Sequence, residues 1–388
     1  MEKQLSGFYR PILAGILAFA LVPGMRAAGN NSNTNSGYDE MDIVSDGSAS
    51  NATHVDPNLV NAWGIVASTK TIWVNDNGTG LLTTYSAVGK PTKPVINVPS
   101  PGSQTGGTPS GLVMNNTSGF MVSNGKKSAP ATFLLATEDG TIVAWNNILG
   151  PNAVIVVDNS SSNTVPVPGG NTSTHAIYKG LAIVQDESGV PHLYAANFSG
   201  GVIDEFDANF AYVGSFTDPN VPDSFAPFNV RNIRGRLFVS FAKQDLPEAE
   251  DDEKGPGNGL LDIFDADGTM LRRVVSPGGE LNSPWGMVVA PPNFGIFSRA
   301  LLVGNFGDGR INAYDLLTGK WLGNFTDSQG NTLFISGLWG LTFEKEEVPG
   351  NECSFSAQRL YFTAGPNDES DGLLGILRPV NPSFPPAN

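Results

Sequence analysis

Asparagine and aspartate side chains recur directly after short apolar runs along this chain. They are Asn75, Asn197, Asn305, Asp308, Asn367 and Asp368. Amide and carboxylate oxygens are the ligands that Ca²⁺ prefers, so such groups meeting at one place would form a calcium site. A cation there would act as a Lewis acid on an ester carbonyl or an enolate. The same residue types also cap strand ends through backbone hydrogen bonds, and the pattern alone leaves both interpretations open.

Groups for acid–base or nucleophilic chemistry are few. The chain has three histidines and one cysteine, and it lacks both a Gly-x-Ser-x-Gly and a His-Glu-x-x-His motif. His175, in a long polar stretch, and Glu138, at the end of an apolar run, are the candidates for a general base. A lone thiol such as Cys353 is most simply a packed residue. An enzymatic function would therefore lack an obvious base.

These residues lie within a repeat. The pattern Gly-x-[Leu/Ile]-x-x-aromatic occurs five times, and a sixth copy has leucine in place of the aromatic residue. Its glycines are Gly80, Gly140, Gly201, Gly259, Gly309 and Gly372, at intervals of 50 to 63 residues. Each copy follows an apolar run and, further upstream, a segment that usually has glycine between apolar neighbours, as in Trp63-Gly64-Ile65. Evenly spaced units of several short strands are typical of β-propellers.

We therefore predict an all-β protein, a six-bladed β-propeller of four-stranded blades, over residues 41–380. Inner strands crowd at the axis of such a ring, which explains the glycine in the first strand of a unit. The last unit lacks a fourth strand, because a proline-rich tail, residues 381–388, follows it. Residues 41–44 are a spare apolar segment that is expected to supply this strand, closing the ring and removing exposed sheet edges.

The N-terminus has the features of an export signal. Lys3 and Arg10 precede an apolar run over residues 11–22, and small residues follow. That run is shorter than the roughly 20 residues that cross a bilayer. We expect residues 1–28 to be a signal peptide and residues 29–40 a disordered linker, with a secreted product that has no membrane span. Nine Asn-x-Ser/Thr sequons would be glycan acceptors in a eukaryotic secretory route.

The formal net charge of −15 excludes one class of partner. A surface this acidic cannot neutralise phosphates, so nucleic acid is not an expected partner. The charge is compatible with a soluble surface and with cation binding. We expect an extracellular or cell-surface ligand and a monomeric protein.

Several strings resemble a known family of exported proteins. They are residues 56–64 (DPNLVNAWG), 241–245 (FAKQD), 284–286 (PWG), 302–309 (LVGNFGDG), 337–341 (GLWGL) and 362–369 (FTAGPNDE). Together they resemble the uncharacterised propeller-like family whose bacterial members often carry a C-terminal PEP-CTERM sorting tail. The resemblance covers approximately residues 41–378 and implies export and a propeller fold. It implies no activity and no catalytic residues, and the last eight residues here lack the apolar segment of such a tail.

Two hypotheses of function follow. In the preferred one, the protein is a secreted binding or scaffold module that recognises its partner with one propeller face. In the alternative, it is an enzyme similar to calcium-dependent lactonases or lyases, with Ca²⁺ at the channel mouth held by the asparagine and aspartate set.

Overall fold

A computed structural model describes residues 36–47, 51–68, 70–167, 169–344 and 358–380. Five four-stranded sheets and one five-stranded sheet form six blades around a central axis, which confirms the predicted all-β, six-bladed propeller. The expected signal peptide, residues 1–28, and the proline-rich tail, residues 381–388, lie outside the described residues. Most of the expected linker, residues 29–35, lies outside them as well.

The strands of each blade follow one another from the axis outward. Blade 1 has Ala62–Ala67, Thr71–Asp76, Leu81–Ser86 and Ile96–Asn97; blade 2 has Pro109–Met114, Phe133–Thr137, Thr141–Trp145 and Val154–Asp158. Blade 3 has Tyr178–Gln185, Pro191–Asn197, Val202–Phe206 and Tyr212–Phe216; blade 4 has Phe225–Ile233, Arg236–Lys243, Gly259–Phe264 and Met270–Val275. Blade 5 has Pro284–Val289, Leu301–Asn305, Ile311–Tyr314 and Trp321–Asn324; blade 6 has Leu338–Phe343, Leu360–Ala364, Leu373–Pro379, Tyr38–Ser45 and His54–Val55.

Short elements link these strands. Two small ribbons pair Pro99–Ser100 with Ser103–Gly106 and Met121–Ser123 with Ser128–Pro130, and two 3₁₀ turns span Asn147–Leu149 and Gly295–Phe297. Within the described part of the chain, no helix is long and apolar enough to cross a membrane.

Apolar side chains between neighbouring blades form six core clusters, one for each interface. The aromatic residue of each repeat lies in one of them. These residues are Tyr85, Trp145, Phe206, Phe264 and Tyr314, and none is more than 4% exposed. Burial of one such ring contributes about 1.5–3 kcal/mol, which explains why the repeat keeps an aromatic residue at this position.

The two ends of the chain close the ring. The strand Tyr38–Ser45 pairs antiparallel with Leu373–Pro379 and becomes the missing outer strand of blade 6. It is longer than predicted, because residues 38–40, assigned to the linker, belong to it. Tyr38 explains the difference: its ring stacks on Phe325 of blade 5 at 4.1 Å. A tertiary contact of this kind extends a strand beyond its apolar run.

Glycines in the inner strands allow the blades to meet at the axis. A Cβ on Gly64 would lie 2.6 Å from the Ser110 carbonyl oxygen of the next blade, and one on Gly111 would lie 2.7 Å from the Cα of Gly180. Gly286 and Gly340 face the next inner strand equally closely, at 2.6 and 2.5 Å. Real Cβ atoms do not approach backbone so closely, so only glycine fits at these positions.

Replacing one of these glycines should destabilise the whole ring. For Gly111→Ala we expect a loss of about 1–3 kcal/mol in the free energy of unfolding, because the new methyl group meets backbone that cannot move aside. Gly214→Ala, in the outer strand of blade 3, is the matched control, since nothing lies within 4 Å of a Cβ there. Urea denaturation measures both variants, and equal losses would contradict the steric role of Gly111.

Candidate functional site

The inner strands place one residue of each blade at one end of the axis. It is the residue directly before the inner-strand glycine, or before Asn229 in blade 4. These six residues are Trp63, Ser110, Lys179, Phe228, Trp285 and Trp339. Four of these six are aromatic and join Phe198 and Phe306 in a seventh buried cluster. Trp339 stacks on Trp63 at 3.6 Å and on Phe306 at 3.8 Å between ring centroids. These rings fill the axis, and we call this the plugged end.

Lys179 is the only charged residue among the six, and its side chain is fully buried. Its ammonium group contacts a Glu138 carboxylate oxygen, lies 2.9 Å from Asp251 Oδ1 and lies 5.2 Å from the centre of the Trp63 ring. Burial by itself lowers the pKa of Lys179, but the two carboxylates outweigh this effect and raise it. Lys179 therefore stays charged inside the plugged end.

Glu138, a predicted general base, is thus part of an ion pair. Its second carboxylate oxygen accepts a hydrogen bond from Asn77 at 2.7 Å. His175, the other candidate, lies in the loop before blade 3, where its backbone carbonyl accepts a hydrogen bond from the Ser199 hydroxyl at 2.7 Å. Among the described residues, no hydrogen bond joins the side chains of Glu138 and His175. Their catalytic role stays a prediction.

Asn75 is buried at the boundary between blades 1 and 2. Its amide nitrogen donates to the carbonyls of Ser110 and Gly111, at 3.1 and 3.0 Å, and so ties the second strand of one blade to the inner strand of the next. Its carbonyl oxygen Oδ1 is buried and has no hydrogen-bond partner among the described residues. The amide nitrogen of Asn75 therefore links two blades, whereas its carbonyl oxygen has a free acceptor position among the described residues.

Asn197 is buried and makes hydrogen bonds with both ends of its amide. Its nitrogen donates to Asn163 at 2.8 Å and to Asp204 at 2.9 Å, and its oxygen accepts from the backbone N–H of Gly200 at 3.0 Å. Burial raises the pKa of Asp204, whereas hydrogen bonds from neighbours such as Ser215 lower it. A glycan cannot be attached to this enclosed nitrogen in the folded protein, although Asn197 heads a sequon.

Asn305 and Asp308 are joined within one turn of blade 5. The Asn305 amide nitrogen donates to Asp308 Oδ1 at 3.1 Å and to the Glu280 carbonyl at 2.9 Å. Asp308 also accepts from the backbone N–H of Arg310 at 3.2 Å, as a turn residue does. The carbonyl oxygen of Asn305 is buried without a partner among the described residues. Like Asn75, Asn305 therefore has a buried carbonyl oxygen without a hydrogen-bond partner among the described residues.

Asn367 and Asp368 are exposed and lie in a turn with positive φ angles of 54° and 50°. The Asn367 amide nitrogen donates to the Ser370 hydroxyl at 2.9 Å. Asparagine and aspartate tolerate this left-handed backbone better than most residues, which accounts for their presence here. Among the described residues, no three His, Cys, Asp or Glu side chains are grouped closely enough to hold a metal ion. Calcium binding stays a prediction.

The opposite end of the axis contains a cavity. It has a volume of about 650 Å³ and is lined by the ends of the inner strands of blades 1 to 4 together with Thr342 of blade 6. Its lining combines inner-strand residues such as Ile65, Leu112 and Leu181 with polar residues such as Thr117 and Asn232, and polar atoms form the larger part of its surface. Exposed Asn116 and Gln185 stand at its rim, so we call this the open end.

The repeat pattern did not predict either Lys179 or the cavity. A signal for Lys179 exists, because it replaces the large apolar residue that precedes glycine in three other blades. Its partners Glu138 and Asp251 are 41 and 72 residues away, and no local pattern links them. The cavity results from the packing of four inner strands that are separated in the chain.

The fold and its axis define a six-bladed β-propeller that is closed by aromatic rings at one end and hollow at the other. No protein-family model matches the chain. Two uncharacterised proteins of Acanthamoeba polyphaga mimivirus are each 32% identical to it over 332 residues, covering 84% of this chain and 82% and 76% of theirs. The chain belongs to the same family as these two proteins.

Solved structures resemble the chain only at low identity and with TM-scores below 0.5. A streptogramin B lyase is 10% identical with a TM-score of 0.47, covering 88% of this chain and 98% of that one. A luciferin-regenerating enzyme is 12% identical with a TM-score of 0.47, covering 84% and 93%. A nidogen/laminin complex is 11% identical with a TM-score of 0.44, covering 76% and 85%. At these values the likeness concerns the fold alone.

Removing the buried ammonium group should destabilise the plugged end. For Lys179→Met we expect a loss of about 1–3 kcal/mol in the free energy of unfolding, because the half-buried Glu138 loses its counter-charge, whereas the largely exposed Asp251 stays solvated. The control is Arg236→Met, which breaks an exposed pair with Asp265 and should cost less than about 1 kcal/mol. Adding Glu138→Gln to Lys179→Met should recover part of the loss. Chemical denaturation measures the free energy of unfolding of each variant. A loss for Lys179→Met no larger than that for Arg236→Met would contradict the stabilising role of the buried ammonium group.

Proposed function

We propose that the protein is an exported binding module that takes a small ligand into the cavity at its open end. One observation carries this proposal: a cavity of about 650 Å³ lies within the size range of small-molecule sites. Its polar residues, such as Thr117, Asn232 and Thr342, provide hydrogen-bonding groups that could orient such a ligand. We assign binding to the open end because aromatic rings and ion pairs occupy the other end of the axis.

Export is supported by the N-terminal sequence. Residues 1–28 have the basic, apolar and small-residue order of a signal peptide. The resemblance to exported propellers with PEP-CTERM tails points the same way. The ligand is then extracellular or on a cell surface. The mimivirus relatives are uncharacterised and suggest no substrate.

A calcium-dependent lactonase or lyase is the second candidate. It is favoured by the buried carbonyl oxygens of Asn75 and Asn305, which have no partner among the described residues and which a hard cation would accept as ligands. If Ca²⁺ binds the folded state, millimolar Ca²⁺ should raise the melting temperature, and Asn75→Leu should abolish this rise. An unchanged melting temperature over a titration of Ca²⁺ would rule out this candidate.

Blocking the cavity should abolish binding without unfolding the protein. The double variant Asn116→Trp/Gln185→Trp changes two exposed rim residues and should occlude the entrance. A panel of neutral, cationic and anionic small molecules is first screened by thermal shift on the wild-type protein. Compounds that raise its melting temperature should no longer do so in the double variant. Gln329→Trp, in an exposed turn, is the control and should respond like the wild type.

Two results would overturn the binding proposal. In the first, no compound of any charge shifts the wild-type melting temperature. In the second, the shifts persist unchanged in the double variant, which would locate binding elsewhere on the molecule.

A further inference from the structure

Arg231 is an arginine without a counter-charge in the wall of the cavity. It lies near the end of the inner strand Phe225–Ile233 of blade 4 and lines the open-end cavity. Neither a hydrogen bond nor an ion pair joins its guanidinium group to another described residue. The side chain is half-buried, and this burial lowers the pKa of the guanidinium group.

Among the described residues, Asp186 is the acidic residue that lines the cavity, and its carboxylate already has partners. Asp186 Oδ1 accepts hydrogen bonds from the backbone N–H groups of Ser188 and Val190, both at 2.9 Å. Its other oxygen lies 3.6 Å from His192 Nε2. Asp186 therefore closes its own turn, and it forms no pair with Arg231.

Another arginine of the same blade, Arg273, has acidic partners. Arg273, on the outer strand of the same blade, pairs with two acidic residues, Asp218 and Asp262, whose side chains are 1% and 0% exposed. The fold supplies acidic partners to Arg273, whereas the half-buried Arg231 has none among the described residues.

We propose that Arg231 binds the anionic group of a small organic ligand in the open-end cavity. This inference rests on the proposed binding function of the cavity and specifies the class of ligand. The guanidinium group has five N–H donors in a fork that matches a carboxylate, a sulfonate or a phosphate. Polar residues of the lining, among them Thr117 and Asn232, would contact the rest of the molecule.

Charge and size narrow the ligand further. One unpaired cation compensates one anionic group, and the net charge of −15 on the chain disfavours a polyanion. The cavity of about 650 Å³ has room for a molecule of drug-like size. We infer a monoanionic organic molecule.

Two fluorescent probes of nearly equal shape test this inference. Anilinonaphthalene sulfonate is an apolar ring system with one anionic group, and phenylnaphthylamine is its uncharged counterpart. Both are titrated into the full protein near physiological salt. We expect the anionic probe to bind one per protein and Arg231→Gln to weaken it by about tenfold or more, which is the value of a charge-assisted hydrogen bond. Arg231→Lys should keep part of the affinity, since it keeps the charge.

The controls separate this inference from the binding proposal. Arg236→Gln removes an exposed arginine of the same blade and should leave binding of the anionic probe unchanged. The uncharged probe should bind wild type and Arg231→Gln equally. Without ligand, Arg231→Gln should melt near the wild-type temperature, because no hydrogen bond or ion pair with a described residue is lost.

Distinct results overturn the two claims. If both probes bind, the double variant Asn116→Trp/Gln185→Trp blocks both, and Arg231→Gln weakens neither, then the cavity binds ligands but Arg231 does not select anions. If neither probe binds, or the double variant blocks neither, the binding proposal itself fails. A lower melting temperature for ligand-free Arg231→Gln would show that Arg231 has a structural role and would also overturn the inference.

Discussion

The close approach of the inner strands at the axis is the constraint on which the rest of this propeller depends. Between several neighbouring blades the distance is so short that a single methyl group would lie about 2.5–2.8 Å from the next backbone. Blade 4 has Asn229 at the corresponding position, and its amide nitrogen donates to the Trp285 carbonyl of blade 5 at 2.7 Å. A side chain can thus replace glycine where it bridges two strands.

The close packing of the inner strands also determines which side chains meet along the axis. The residue before each glycine is held near the axis at one end, where large rings from blades 1, 5 and 6 meet in edge-on and stacked contacts. Blade 3 contributes an ammonium group instead, and the negative face of the Trp63 ring and two carboxylates stabilise it. Further along the same strands the side chains diverge, and a cavity remains. The plug and the cavity are therefore two consequences of one arrangement.

Closure of the ring depends on the close packing of neighbouring blades as well. The N-terminal strand must reach blade 6 and still pack on blade 5, and Tyr38 does both through its backbone pairing and its contact with Phe325. Burial raises the pKa of this tyrosine, in keeping with its place among apolar rings. Joining both ends of the chain in one sheet leaves the final blade without an unpaired third strand.

The repeat of glycine, branched apolar and aromatic residues determined the number of blades, most strand positions and the source of the closing strand. These properties are readable because turn chemistry and alternation of side chains are local and occur in every blade. The positions of the asparagines at the ends of the second strands could also be predicted from the sequence. Their hydrogen-bond partners could not. Asn75 and Asn197 donate to neighbours in the next blade and in a distant loop, and only the ring brings those groups within reach.

The charged features of the axis were decided by the tertiary structure alone. Lys179 meets Glu138 and Asp251 because blades 2, 3 and 4 converge there, and no spacing in the chain encodes that meeting. Arg231 looks like an ordinary strand residue in the sequence, and the lack of a counter-charge among the described residues appears only once the neighbouring strands surround it. Local sequence reports periodicity and turns, whereas burial, ion pairing and cavities depend on distances between segments that are far apart in the chain.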